Sequence, residues 1–418
     1  LKRMSIMMSD LTTPRVQEAY RQIYEIIRDK YLIPIDDYVY QNQLDLATVT
    51  GFLLEPDTII VYIGRTHIAI EFMGPERIKE LHPSAPVDFR FKDLTSPDMN
   101  FMEEIIGFAF DGTVDFDFEL PCFCEDLVLP TNKGHDKLEE LGWNFAAQSM
   151  VIGFNIRALS VPENNHVRLI NSFFFDSNDN GLITRHIKWI DFIPLNIIKD
   201  DDEVKELAIH FEIYRDELIE NDANYIYPMP DKEDYKYAKL PIINRFIELA
   251  GNKETSEPTI TKFLSLVENQ FILSMAFLAR SVHYQLSCEW QSEEKKALEP
   301  DFFVVHTNGY ADIVEFKLPD LKSSPITGRA NRETFSAEIN SYISQTRVYS
   351  SYFDDPNNRN WFEGKYGFKV HHPKRILVVG RRSDFSNEEW REIVSDYRDI
   401  EIITYDDLVS GITAQFYM

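Results

Sequence analysis

The amino-acid sequence predicts a β-rich α+β region followed by an α/β region with a mixed sheet. Short apolar runs separated by Gly, Pro and Asp occupy residues 45–195 and are typical of strands. From Thr259 onwards the predicted order is helix, strand, strand, helix, strand, helix, strand, which is an α/β layout. The hydrophobic fraction of 44% supports packed cores. We expect about four strands in the C-terminal core, with helices flanking them.

A length of 418 residues predicts two to three domains. The main boundary is expected between about residues 222 and 258. We assign residues 1–235 to the β-rich region and residues 236–418 to the α/β domain. A further division of the first region into about 1–145 and 146–235 stays open.

The N-terminal elements follow from local patterns. Apolar residues at helical spacing predict a helix over residues 14–31. Strands are expected within residues 150–195, with a turn at residues 176–181. Residues 203–220 are acidic and are predicted to be helical, and the polar stretch 251–258 is interpreted as a linker.

The C-terminal elements are more sharply marked. Residues 259–279 are predicted to form one apolar helix, and Ser386 with Glu389 three residues later indicates the start of another. The remaining elements are strands at 301–306, 310–318, 375–379 and 400–404 and a helix at 335–353.

The net charge of −26 argues against nucleic-acid binding by most of the chain, since phosphate contacts depend on Lys and Arg. The charge is unevenly distributed, however. Residues 1–259 carry a net charge of −21 and residues 260–418 only −5, while residues 295–382 carry +4. The candidate site described below lies in this locally basic stretch.

Three cysteines and the lack of a long apolar run predict a reduced, cytoplasmic protein without a membrane segment. The first ten residues also lack the apolar core of a secretory signal.

Three polar residues, Asp301, Glu315 and Lys317, interrupt two apolar strands joined near Asn308-Gly309. Two carboxylates suit a hard cation such as Mg²⁺, and a lysine on the same strand face can orient water. A two-residue turn would pair Asp301 with Phe316, on the wrong face. A three-residue loop with Gly309 left-handed pairs Asp301 with Glu315, and the catalytic interpretation requires this form. A structural salt bridge to Lys317 is the alternative.

The pattern Pro300-Asp301 with Glu315-Phe-Lys317 resembles the PD-(D/E)xK nuclease superfamily. Gln345 and Tyr349, one turn apart on the next helix, match the Gln-x-x-x-Tyr element of its RecB-like members. The resemblance implies that they orient catalytic groups or DNA. Glu268 matches the position of the carboxylate often found on the first core helix of this superfamily. The match is loose, because Glu289 and Glu299 are competitors.

The segments Lys374–Arg381 and Ile400–Leu408 are similar to the C-terminal part of the Shedu nuclease family, over roughly residues 255–410. This resemblance implies a bacterial antiphage nuclease that depends on Mg²⁺, with Mn²⁺ as a substitute. It also implies DNA as substrate, a homo-oligomer (dimer or tetramer), a phage-derived trigger and a regulatory N-terminal region. An endonuclease is favoured over an exonuclease.

Basic residues near the site in sequence are candidate DNA backbone contacts, with a solvated basic surface as the alternative. They are Lys322, Arg329, Arg332, Arg347, Arg381 and Arg382. Two other functions remain open: a DNA repair or restriction-type nuclease, and a nucleic-acid or protein binding module whose metal site is vestigial.

Overall fold

The computed structural model shows a protein that mixes α-helices with several β-sheets. It describes residues 14–81, 87–147, 150–151, 153, 155–199, 205–209, 215–227, 235–292, 294–322, 324–328 and 333–417. The described residues divide into two compact units: the first draws on 1–136, 148–177 and 183–233, and the second on 137–147, 178–182 and 234–418. Within the described ranges, no helix is both long and apolar enough to span a membrane.

The N-terminal half is rich in strands. Its elements in chain order are α1 (Pro14–Ile27), α2 (Ile33–Gln41), α3 (Gly51–Leu54), β1 (Thr58–Ile63), β2 (His67–Met73), β3 (Asp88–Asp93), α4 (Phe101–Ile106), β4 (Asp117–Glu119), β5 (Phe123–Glu125), β6 (Leu127–Pro130), α5 (Asn132–Glu140), β7 (Met150–Val151), β8 (Ala158–Ser160), β9 (Val167–Asn178), β10 (Gly181–Lys199), β11 (Lys205–Ile209) and α6 (Arg215–Ala223). A π-helical turn, Arg28–Leu32, continues α1 directly into α2.

A nine-stranded sheet dominates the first unit, with the order β3-β1-β2-β10-β9-β6-β7 and with β11 and β5 at its sides. Apolar side chains from both faces of β1 and β2 are buried. The helix predicted over residues 203–220 is wrong at residues 205–209, which form the strand β11. There, β11 pairs antiparallel with the end of the long strand β10, which satisfies backbone groups that would otherwise lack partners.

The C-terminal half alternates helices and strands. Its elements are α7 (Tyr235–Gly251), α8 (Glu257–Ser265), α9 (Phe271–Ala276), β12 (Ser281–Tyr284), β13 (Phe302–Val305), β14 (Ala311–Phe316), β15 (Ile326–Thr327), β16 (Thr334–Phe335), α10 (Ala337–Asp354), α11 (Pro356–Tyr366), β17 (Arg375–Val378), α12 (Asn387–Ser395), β18 (Ile400–Ile403) and α13 (Tyr405–Tyr417). The expected capping box at Ser386 and Glu389 is confirmed at the start of α12.

The second unit is built on a five-stranded sheet with the order β12-β13-β14-β17-β18. The first three strands are antiparallel, and β14, β17 and β18 run parallel. Both faces are covered by helices. On one face, Ile339 and Ile343 of α10 pack with Leu377. On the other, Tyr405 of α13 packs against Phe316.

The hairpin between β13 and β14 has the three-residue loop that the catalytic interpretation requires. Phe302 pairs with Val314 and Val305 with Ala311, which places Asp301 opposite Glu315. The amide of His306 donates to the carbonyl of Tyr310 at 2.8 Å. Gly309 has a φ of +81°, the left-handed conformation that glycine adopts without strain. The predicted register is therefore confirmed.

The single helix predicted over residues 259–279 is wrong, because α8 ends at Ser265. The side-chain amide of Asn269 donates to the carbonyl of Phe263 at 2.9 Å, and that of Gln270 donates to Ser265 at 3.1 Å. These bonds satisfy carbonyls at the end of α8 and terminate it. Glu268 consequently lies in a 3₁₀ turn, where it is exposed to solvent.

Candidate functional site

The sheet brings three polar residues together where β13 begins and β14 ends. Asp301 directly precedes β13, Glu315 lies in β14, and Lys317 follows that strand. Because side chains alternate along a strand, Glu315 and Lys317 project to the same face. The amide of Lys317 extends the ladder by donating to the carbonyl of Val378 at 2.9 Å. The hydroxyl of Tyr405 donates to the carbonyl of Lys317 at 2.7 Å and fixes this backbone from the other side of the sheet.

The ammonium group of Lys317 is held by two carboxylates. Its Nζ lies 3.0 Å from Oε1 of Glu315 and 3.0 Å from Oε1 of Glu257, at the start of α8. The ring of Tyr342 on α10 lies 5.6 Å from the same nitrogen, within reach of a cation–π interaction. The lysine is therefore oriented rather than free to sample solvent.

Glu315 is oriented by α10. Nε2 of Gln345 donates to Oε1 of Glu315 at 2.9 Å, and the hydroxyl of Tyr349 donates to Oε2 at 3.2 Å. The predicted placement of Gln345 and Tyr349 on one helix face is confirmed by these bonds. Oδ2 of Asp301 accepts from the amide of Phe316 at 2.8 Å. Within the described part of the chain, Oδ1 of Asp301 has no hydrogen-bond donor, so it is open to a ligand.

Burial sets the protonation of this cluster. Asp301, Glu315 and Lys317 are 8%, 3% and 6% exposed. Burial, followed by the neighbouring Glu315, raises the pKa of Asp301 to about 7. Burial also raises the pKa of Glu315, although Lys317 opposes the shift. Burial lowers the pKa of Lys317, but Glu315 and Glu257 outweigh it, so the pKa is raised and the lysine stays charged.

The cluster carries more negative than positive charge. Asp301, Glu315 and Glu257 surround the single ammonium of Lys317, so the ionised set has a net charge of −2. Buried charge of one sign is costly unless it is neutralised by protons or by a bound cation. Oxygen ligands with this charge suit Mg²⁺ or Mn²⁺ in donor type and number. The residues present therefore fit a divalent metal centred on Asp301 and Glu315.

Residues 254–409 match the family model described as the Shedu protein SduA, C-terminal. The C-terminal region of this chain belongs to the Shedu family. The matched range contains the whole constellation from Glu257 to Tyr405. No curated protein matches the chain.

Within the Shedu region, the carboxylate that reaches the site from the first helix is Glu257 and not Glu268. Our sequence interpretation placed residue 257 in a linker, so Glu257 was missed. A signal was available, because Ser256 caps α8 and Glu257-Pro258 is typical of a first helical turn. Glu289, which the sequence offered as an alternative to Glu268, pairs with Lys365 at 2.8 Å.

The candidate DNA contacts of the Shedu region have different surroundings. Lys322 and Arg347 are exposed. Arg381 is buried, and its guanidinium donates to the carbonyl of Ala250 and lies 3.4 Å from Asp406. These internal contacts give Arg381 a structural role, which argues against its use as a phosphate clamp. Arg382 is half exposed and pairs with Asp407 at 2.6 Å. Arg329 and Arg332 lie outside the described residues.

Proposed function

We propose that the second unit is a metal-dependent deoxyribonuclease acting in bacterial antiphage defence. The observation that carries this proposal is the meeting of Asp301, Glu315 and Lys317 at one strand end, buried and with an excess of carboxylates. Membership of the Shedu family supports the biological role. The PD-(D/E)xK core assignment is part of the proposal, and it is supported by the order of strands around β14.

Asp301 and Glu315 would hold Mg²⁺, with Mn²⁺ as a substitute. The metal would supply Lewis-acid stabilisation of the phosphate and would lower the pKa of a bound water. Gln345 and Tyr349 fix both oxygens of Glu315, so this carboxylate is held in one orientation before a ligand arrives. Such preorganisation of a ligand reduces the reorganisation that binding requires.

Lys317 would orient the attacking water and stabilise negative charge on the phosphoryl oxygens in the transition state. Glu257 shares the lysine with Glu315 and holds its Nζ between the two carboxylates. A positioned ammonium of this kind stabilises developing charge without rearranging during the reaction. Lys322 and Arg347 are exposed on the same unit and would contact the DNA backbone, with Arg382 in addition when it is released from Asp407.

Residues 1–235 would regulate the nuclease of residues 236–418, in response to a phage-derived trigger. We also propose a homo-oligomer, a dimer or a tetramer, in the bacterial cytoplasm. Cutting inside a DNA strand is proposed in preference to cutting from an end.

The test is incubation of the full-length protein with linear and circular DNA in Mg²⁺, Mn²⁺ or EDTA. We expect metal-dependent cutting of both forms, and loss of at least about a hundredfold in rate for Lys317→Ala. The matched control is Lys374→Ala, because Lys374 is an exposed lysine that pairs with Glu401 at the far end of the sheet. A folded Lys317→Ala protein that cuts as fast as the parent would contradict the assignment. The assignment would also be contradicted if the parent protein bound Mn²⁺ no more tightly than the Asp301→Ala variant does.

A further inference from the structure

A cleft of about 340 Å³ opens on the first unit, far in sequence from the nuclease residues. It is lined by Cys122, Phe123, His166, Arg168, Ile170, Leu218, Asn221, Asp222 and Tyr225. Pockets of this size bind small molecules, and the useful ones combine apolar walls with a few converging polar groups. This cleft has both.

The floor of the cleft is a buried guanidinium bound by two carboxylates. Nε and Nη2 of Arg168 donate to Asp191 at 2.7 and 3.0 Å, and Nη1 and Nη2 donate to Asp222. The guanidinium also stacks 4.5 Å from the ring of Trp189. Four of the five N–H groups of Arg168 are thus used inside the protein, so the arginine has little capacity left for an anion.

The carboxylates around this floor outnumber the cation. Nε2 of His166 lies 2.8 Å from Asp191, and the hydroxyl of Tyr31 bonds to Asp222. Burial would raise the pKa of Asp191, but Arg168 and His166 more than offset this and hold it below its usual range. Burial raises the pKa of Asp222, and Arg168 compensates only in part. Arg168 is one guanidinium shared by two carboxyl groups, so these three groups together carry a net charge of −1 when all are ionised.

The mouth of the cleft adds aromatic and acidic surface. Phe123 is 54% exposed although it lies in a strand, and Tyr225 also lines the cleft. Glu125 lies next to Tyr225 and increases the negative potential. Aromatic faces beside carboxylates attract cations, through the ring quadrupole as well as through charge.

We propose that this cleft binds a small organic cation with a guanidinium or primary ammonium head group. The head group would lie over Asp222 and against Phe123, and its charge would compensate the excess carboxylate of the floor. A phosphate ligand is disfavoured, because Arg168 is already neutralised and the surrounding carboxylates repel anions. The site belongs to the unit that we propose to be regulatory, but its occupation does not depend on nuclease activity.

The test is calorimetric titration of the full-length protein with agmatine, which carries both head groups. We expect saturable binding, weakened about fivefold to tenfold in Phe123→Ala, the size of one cation–π contact. The matched control is Phe116→Ala, because Phe116 is 52% exposed on the same unit and does not line the cleft. It should bind agmatine as the parent does.

A charge variant at the rim tests the electrostatic argument without disturbing the core. Asn221 is exposed on α6, and Asn221→Lys should weaken agmatine binding about fivefold. Asn224→Lys, three residues on and outside the lining, adds the same charge and should leave binding unchanged.

The source of the head group is tested with N-acetyl-arginine amide, which mimics an arginine side chain in a protein. Tighter binding of the amide would support a protein side chain as the ligand, and tighter binding of agmatine a free metabolite. No binding of either compound at millimolar concentration would overturn the proposal. Binding of inorganic phosphate in their place would also overturn it.

Discussion

Replacing Asp301 by Asn should stabilise the metal-free protein. The carboxylate of Asp301 is buried beside Glu315, and its pKa is raised from 3.8 to about 7. A carboxyl whose pKa is higher in the folded state costs stability wherever it is ionised. The free energy that the ionised Asp301 costs the folded state is largest above about pH 7, falls as the pH drops and disappears near pH 3.8. Asparagine keeps the acceptor for the amide of Phe316 and removes the charge.

The size of the effect follows from the shift in pKa. Each pH unit between 3.8 and about 7 represents about 1.4 kcal/mol, which sets an upper bound of about 4 kcal/mol. Relaxation around the ion reduces this, so we expect a gain of about 1–2 kcal/mol at pH 8 and about half of that at pH 5.5. For a unit of this size the gain corresponds to a melting temperature about 3–6 °C higher at pH 8.

The assay is thermal unfolding in EDTA at both pH values, with Asp312→Asn as the control. Asp312 lies in the same hairpin but pairs with His306 at 2.9 Å, so its replacement should be neutral or destabilising. Added Mn²⁺ should raise the melting temperature of the parent and leave that of Asp301→Asn nearly unchanged. If Asp301→Asn melts below the parent in EDTA at pH 8, the carboxylate is a net stabilising partner of Lys317 and our reasoning is wrong.

Three further outcomes are expected. Glu257→Gln should lower the DNA cleavage rate about tenfold, because the charge that holds Lys317 is lost, while Glu268→Gln should cleave at the parental rate; equal rates for both variants would remove Glu257 from the site. Gly309→Ala should lower the free energy of unfolding, measured in urea, by about 1 kcal/mol, because the loop needs a φ of +81° at this residue. An added Cβ meets no atom within 4 Å, so backbone strain is the only cost expected. An unchanged urea midpoint would refute the strain argument. Arg381→Ala should destabilise the protein by about 2 kcal/mol without a specific effect on DNA affinity. Arg347→Ala should weaken DNA binding and leave the melting temperature unchanged. The reverse pattern would make Arg381 the DNA contact and Arg347 the structural residue.

The hairpin of the site was predictable because its constraints are local. Asn308-Gly309 marks the turn, and only a three-residue loop places Asp301 and Glu315 on one face. Gln345 and Tyr349 were predictable for the same reason, since a spacing of four residues on a helix fixes their common face. The fifth strand, β12, was not expected, because four residues carry little periodic signal.

The failures arose where tertiary contacts override local pattern. The apolar run through Leu266 and Val267 predicted a continuous helix, yet these side chains are 47% and 83% exposed. The helix ends there because Asn269 and Gln270 take its last carbonyls, a use of side-chain amides that periodicity does not detect. The strand β11 forms because β10 provides an edge, and that edge lies outside any local window.

The bond from Tyr405 to the carbonyl of Lys317 has a consequence for synthesis of the protein on the ribosome. Asp301 and Glu315 lie 14 residues apart, so their hairpin can close soon after it leaves the exit tunnel. Tyr405 lies 88 residues beyond Lys317, so the bond to the carbonyl of the lysine forms only once that distant residue has been translated. A nascent chain that stalls before α13 would keep the bond from the amide of Lys317 to Val378 but would lack the bond to the carbonyl of Lys317. The start of α13 therefore completes the backbone support of the proposed catalytic lysine only after its hairpin and its helical partners have been made.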